Sequence, residues 1–207
     1  MSAGDVVRSY AAPDASTPVI CLGDGPIFSW SNVATKITLT DLLTGAVLRQ
    51  LTPVLKSYQA FAWDGRTLWA LQTTNNRIYQ LDPHDATLLR DIPAPVAGGR
   101  GIAWDGRTLW FVSLGSHRIY QLNPLTGAVL RSFATGLTNE RGIGWDGVSL
   151  WLVETTGDMV YRFDPLTGAV LTSFAAPSTA PSSINWDGRS LWILDVPADT
   201  IYQVAAA

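Results

Sequence analysis

The chain has 207 residues, 47% of them hydrophobic and only 15% charged, which is ample apolar material for a core and too little charge for a disordered chain. Eighteen Gly and 12 Pro point to many turns and, with the short apolar runs between them, to an all-β protein. A net charge of −3 without a Lys/Arg run excludes a nucleic-acid footprint, and the single Cys21 excludes an intramolecular disulfide framework and a thiolate zinc cluster. No 18-residue apolar run is present, and the opening Met1-Ser2-Ala3-Gly4-Asp5 is not a charged segment leading into an apolar one. The chain as it stands is therefore expected to be soluble, with no membrane partner and no signal peptide, and its compartment is left open.

Residues 4–13 at the N-terminus match residues 168–177, an offset of 164, which is four periods of 41. The period itself is set by Ala62-Trp63-Asp64-Gly65-Arg66-Thr67-Leu68-Trp69, which recurs unchanged at 103–110 and in altered form at 144–151 and 185–192. A constant spacing in this range marks a repeat architecture. Residues 14–54 are a worn first copy, with Leu22, Ile27, Phe28, Ile37 and Arg49 in the places of Trp63, Leu68, Trp69, Ile78 and Arg90. Copies at 55–95, 96–136 and 137–177 follow. The last, 178–207, stops short of its final segment, which residues 1–13 supply.

Each copy carries four short segments of period-2 apolar character; in the third they span 101–104, 109–113, 118–122 and 128–133. Asp105-Gly106 is a hairpin signal between the first two, and Asn123-Pro124-Leu125-Thr126-Gly127 is a Pro-initiated turn between the last two. Four-stranded units repeated around a ring are β-propeller blades. With Trp-Asp-Gly, Leu-Trp and Ile-Tyr-x-x-[Asp/Asn]-Pro-x-Thr-Gly, the chain resembles the broad bacterial group of streptogramin-lyase-like, NHL-like and YncE-like propellers.

The resemblance implies one propeller domain in which first strands line a central channel, fourth strands form the rim, and the terminal segments share one blade. Five copies of 41 residues account for 205 of the 207, which sets the blade number at five. The recurring Trp63, Trp104, Trp145, Trp186 and Trp69, Trp110, Trp151, Trp192 read as packing between neighbouring sheets. Asp64, Asp105, Asp146 and Asp187 read as turn residues rather than a calcium ring, and Arg8, Arg49, Arg90 and Arg131 as an outer wall.

Positions that differ between copies are free to serve a site. In the propeller pattern the second-strand ends, Ser31, Gln72, Ser113, Glu154 and Asp195, share one mouth of the channel with the residues entering the first strands, Pro18, Gln59, Arg100, Arg141 and Ser182. Adjacency would pair Arg100 with Arg141 and Glu154 with Asp195. Such a set suits a small polar molecule, a glycan or a peptide, with arginines on a carboxylate or phosphate. The intervening loops share little, so a single axial site is expected rather than five equivalent ones.

His117 lies in a loop at the same mouth and His84 in a turn at the other. The lyase-like relatives imply an acid/base histidine, but no motif here carries it over, and no nucleophile elbow, P-loop, zincin or EF-hand sequence is present. The reading favours a monomeric, non-enzymatic binding propeller needing no metal or cofactor, with ligand residues Arg100, Arg141, Glu154, Asp195, Gln59, Gln72, Ser113 and His117. Two alternatives are a lyase- or cyclotransferase-type enzyme and a recently amplified or engineered scaffold without a selected ligand.

Overall fold

The structure is a computed structural model describing residues 2–13, 17 and 19–206; Pro18 lies outside the described residues. Twenty strands form five antiparallel four-stranded sheets, and no helix occurs among the described residues, so none is long and apolar enough to cross a membrane. Blade 1 comprises β2 (Val19–Leu22), β3 (Pro26–Ser31), β4 (Lys36–Asp41) and β5 (Val47–Leu51). Blade 2 comprises β6 (Tyr58–Trp63), β7 (Leu68–Gln72), β8 (Arg77–Leu81) and β9 (Leu88–Pro93). Blade 3 comprises β10 (Gly99–Trp104), β11 (Leu109–Ser113), β12 (Arg118–Leu122) and β13 (Val129–Ala134). Blade 4 comprises β14 (Glu140–Trp145), β15 (Leu150–Glu154), β16 (Met159–Phe163) and β17 (Val170–Ala175).

Blade 5 takes β18 (Pro181–Trp186), β19 (Ser190–Asp195) and β20 (Thr200–Ala205) from the C-terminus and β1 (Val6–Ala11) from the N-terminus. The clasp pairs Ala11 with Thr200 and Val6 with Val204, and the Gly4 N–H extends it by donating to Ala205 O at 2.8 Å. Inner strands pack in the cycle β2, β6, β10, β14, β18 and back to β2, which closes a five-bladed β-propeller. Where blade 5 meets blade 1, Ser183 Oγ and Asn185 Nδ2 both donate to Ile20 O, at 2.9 and 3.0 Å. The inner strands approach too closely for most side chains at some points. A Cβ on Gly142 would stand 2.7 Å from the Ser183 Cα, which requires Gly there.

The Trp-Asp-Gly segment builds the turn between first and second strands. In blade 3, Asp105 Oδ1 accepts the Arg107 and Thr108 N–H groups, and Oδ2 accepts the Thr108 hydroxyl and, at 2.9 Å, the Trp110 indole N–H. Asp64, Asp146 and Asp187 hold Trp69, Trp151 and Trp192 in the same way, at 2.8, 2.7 and 2.6 Å. Blade 1 lacks both partners together, having Gly23 and Phe28 at those places. Trp69, Trp110, Trp151 and Trp192 are fully buried between sheets, as expected.

Trp63, Trp104, Trp145 and Trp186 behave differently. They stand at the last position of their inner strands, half-buried, packed on the hydrophobic core with part of each ring and lining the end of the channel with the rest. The expectation that both tryptophan sets pack between sheets holds in full for the second set and in part for the first, whose rings pack on the core and also border the channel end.

Candidate functional site

The channel has two dissimilar ends. At the end where inner strands begin, pairing registers are interrupted at one equivalent place: between Tyr58 and Ala60, Gly99 and Gly101, Glu140 and Ile143, and Pro181 and Ser183. A bulge leaves a residue unpaired and turns its side chain out of the regular alternation. The residues without a paired partner there are Gln59, Arg100 and Ser182 and, in blade 4, Arg141 with Gly142. Gln59, Arg100 and Ser182 line a space of only about 10 Å3, roughly one water, above a waist to which Phe61, Ile102 and Ile143 contribute.

Arg141 is half-buried beside Arg100. Burial, followed by the Arg100 charge, lowers the pKa of its guanidinium below the ordinary arginine value. Neither arginine side chain has a hydrogen-bond or carboxylate partner among the described residues, and the Arg100 Nε is wholly buried and unpartnered. An orphaned guanidinium N–H next to a second cation is costly unless an anion supplies the missing acceptor.

The second-strand ends are committed elsewhere. Glu154, 4% exposed, accepts the Thr156 N–H on one oxygen at 2.8 Å and the Gly157 N–H on the other at 2.9 Å, capping its own loop. Asp195, 2% exposed, accepts the Ala198 N–H at 2.7 Å and the Ala180 N–H at 3.2 Å. Ser113 Oγ donates to Ala97 O at 2.9 Å, and Gln72 donates to Lys56 O while accepting from the Tyr79 hydroxyl at 3.4 Å. The positions vary in type, yet all four tie the second-strand end to a neighbouring loop.

His117 closes the β11–β12 loop at φ +51°, a left-handed position shared by Thr35, Asn76, Asp158 and Asp199 in the other blades. Its side chain is 50% exposed, and its Nδ1 lies 3.0 Å from Oε2 of Glu140, whose carboxylate is 0% exposed. Thr135 Oγ1 donates to the other Glu140 oxygen. In the tautomer that pairs with an ionised carboxylate, Nδ1–H donates to Glu140, and in the neutral ring Nε2 is then free to accept a proton. Glu140 was not among the sequence-derived candidates. Its signal was the repeat register: Tyr58, Gly99 and Pro181 stand where Glu140 does, so a charge appears at this position only in blade 4.

At the opposite end, the four half-buried tryptophans border a cavity of about 460 Å3. Cys21 lies at its edge, 2% exposed, and burial pushes the thiol pKa well above its ordinary value, away from any thiolate chemistry. His84 sits in the turn between β8 and β9, outside this cavity.

Fold and channel define the molecule as a five-bladed β-propeller. Its structural neighbours include a glutaminyl cyclase from Myxococcus xanthus, 15% identical with a TM-score of 0.80, the superposition covering 97% of this chain and 94% of that one. The Cps50 (Swd1) β-propeller domain of Myceliophteria thermophila is 11% identical with a TM-score of 0.61, covering 98% and 99%. Virginiamycin B lyase from Staphylococcus aureus is 21% identical with a TM-score of 0.58, covering 94% and 68%. Identities this low establish a common fold. No protein-family model and no curated protein matches the chain.

Proposed function

We propose that this propeller is a binding module that holds one small polar ligand, or the end of a peptide, by an anionic group at the Arg100–Arg141 mouth. The observation that carries the reading is the pair of neighbouring guanidiniums without a carboxylate partner among the described residues, one with a buried orphan N–H. A carboxylate or phosphate would supply the acceptors and neutralise the repulsion, and Gln59 and Ser182 flank it with neutral polar groups. Five-fold symmetry is broken here, since Gln59 and Ser182 replace arginine in the neighbouring blades, so one ligand is bound rather than five.

The test is calorimetric titration with a panel of mono- and dicarboxylates, sugar phosphates and acidic peptides. A double Arg100→Ala, Arg141→Ala variant should lose at least two charge-assisted hydrogen bonds and weaken binding on the order of 100-fold. Binding that survives in the folded double variant overturns the assignment.

The His117–Glu140 pair favours a second reading, in which the same mouth is catalytic. A histidine oriented by a buried carboxylate, with its second nitrogen facing solvent, is the arrangement of a general base. Two of the neighbouring folds are a glutaminyl cyclase and a lyase of virginiamycin B. Incubation with a peptide bearing N-terminal glutamine and with virginiamycin B, followed by mass spectrometry, tests this directly. Turnover abolished by His117→Asn, a residue that tolerates the left-handed turn, would support the catalytic reading, and no turnover with either substrate removes its basis.

A further inference from the structure

The tryptophan end of the channel has the makings of a second site, independent of the arginine mouth. Four indoles, Trp63, Trp104, Trp145 and Trp186, surround the cavity of about 460 Å3, a volume within the range of small-molecule sites. The residues just before them on three strands are Ala62, Ala103 and Gly144, whose small side chains leave the space between the rings open. The fifth place in the ring belongs to Leu22, and next to it the β2–β3 turn brings Asp24 to the rim.

Each indole packs on the hydrophobic core with part of its ring, but the fold does not use its N–H. Whereas the second-strand tryptophans each give their N–H to a turn aspartate, these four donate to nothing among the described residues, and Trp63 Nε1 is buried without a partner. Only Trp63 is stacked, on Phe28 with ring centroids 5.4 Å apart.

The charge of the lining decides the ligand class. Among the described residues its only charged side chains are Asp24 and Asp187, and no Lys, Arg or His lines it; the turn-tip Arg66, Arg107 and Arg189 stand outside. The Asp187 oxygens are occupied by turn N–H groups and the Trp192 indole, whereas the exposed Asp24 carboxylate has no hydrogen bond or ion pair among the described residues. A sugar would need donors and acceptors in comparable number, and the one side-chain amide in the lining, Asn185, already donates to Ile20 O. Electron-rich indole faces with a rim carboxylate instead suit a weakly hydrated cation. We propose that this end of the channel binds a small organic cation of the quaternary-ammonium class, the alkylated nitrogen sitting among the tryptophans and Asp24 supplying the counter-charge.

The experiment is titration of the full chain with tetramethylammonium chloride and with choline chloride at constant ionic strength, followed by indole N–H shifts in two-dimensional NMR and by tryptophan fluorescence. Saturable shifts confined to the four first-strand indoles are expected, with a Kd on the order of 0.1 to 1 mM. The neutral isostere of choline, 3,3-dimethyl-1-butanol, should bind at least about tenfold more weakly, because it keeps the shape and loses the charge. Trp145→Leu should weaken binding about tenfold. Since a tryptophan variant can also disturb the blade, Asp24→Lys is the decisive change: it lies on an exposed turn without a side-chain partner and should abolish cation binding at unchanged Tm. Shifts that do not saturate, equal binding of the neutral isostere, or full binding in Asp24→Lys would each overturn the proposal. Arg100→Ala with Arg141→Ala should leave it intact, which separates this site from the one across the waist.

Discussion

At the tryptophan end of the inner strands the same residue recurs in four blades, Trp63, Trp104, Trp145 and Trp186, and each is followed by an aspartate whose oxygens are filled by its own turn. At the other end the equivalent places read Gln59, Arg100, Arg141 and Ser182, and the two arginines have nothing to bind among the described residues. Constancy therefore accompanies internal satisfaction at the aspartates and variation accompanies a missing partner at the arginines. The second-strand ends prevent this from being a simple rule. Gln72, Ser113, Glu154 and Asp195 vary as freely, yet each is held by a nearby loop. Variation marks freedom from the blade's shared design; at this mouth, variation without a partner is what marks a place for a ligand.

The largest expected effect breaks the constant end. Asp105→Ala removes the acceptor of four donors and strands the buried Trp110 indole N–H, a loss of roughly 3 kcal/mol. Thermal unfolding should shift down by about 6 to 12 °C for a chain of this length. An unchanged Tm would mean that the aspartate is decoration rather than the peg holding the second strand. Next in size is Glu154→Ala, which uncaps the Thr156 and Gly157 N–H groups and should cost about 1 to 2 kcal/mol while leaving anion binding at the arginine mouth untouched. A loss of binding without a loss of stability would instead make Glu154 a ligand residue.

Blade number, strand order and the clasp were legible in the sequence because a 41-residue period constrains every copy at once and the two ends complete one unit. The Arg100–Arg141 pairing was legible for the same reason, since residues 41 apart fall on adjacent inner strands. The two tryptophan sets were not separable. Period-2 alternation says which face of a strand a side chain takes, not whether that face meets a neighbouring sheet or an opening channel. Bulges at the inner-strand starts were likewise hidden, because a bulge breaks the alternation by which a strand is recognised. Glu140 escaped because a buried carboxylate is recognisable only from its partners, and His117 and Thr135 lie 23 and 5 residues away.

Acid should weaken the turns that the aspartates hold. Burial raises the pKa of the Asp64 carboxyl, but hydrogen bonds from Thr67, the Arg66 N–H and the Trp69 indole outweigh it and hold the group below its ordinary 3.8. Asp41, Asp85 and Asp164 in the outer turns are also lowered, first of all by the backbone N–H groups of Thr44, Thr87 and Leu166. A group whose pKa is depressed on folding stabilises the native state above its unfolded pKa and loses that contribution as pH falls through the folded value. Stability should therefore hold from neutral pH down to about 3.8 and decline below it. Asp64→Asn should be less stable at neutral pH but lose less on acidification, as chemical denaturation at both pH values would show.

The smallest expected effect on stability is also the most informative about the arginine end. Arg100→Ala and Arg141→Ala, singly or together, remove two like charges that repel one another, along with some aliphatic packing, so these opposing terms should leave unfolding free energy within about 0.5 kcal/mol of the parent. Low salt should favour the double variant slightly and high salt should erase the difference, because screening weakens the repulsion only in the parent. A destabilisation of about 2 kcal/mol would mean that the arginines hold the inner strands together, placing them with Asp105 as parts of the scaffold. A neutral or positive change would leave two charges, neighbours on adjacent inner strands, that the blade does not need.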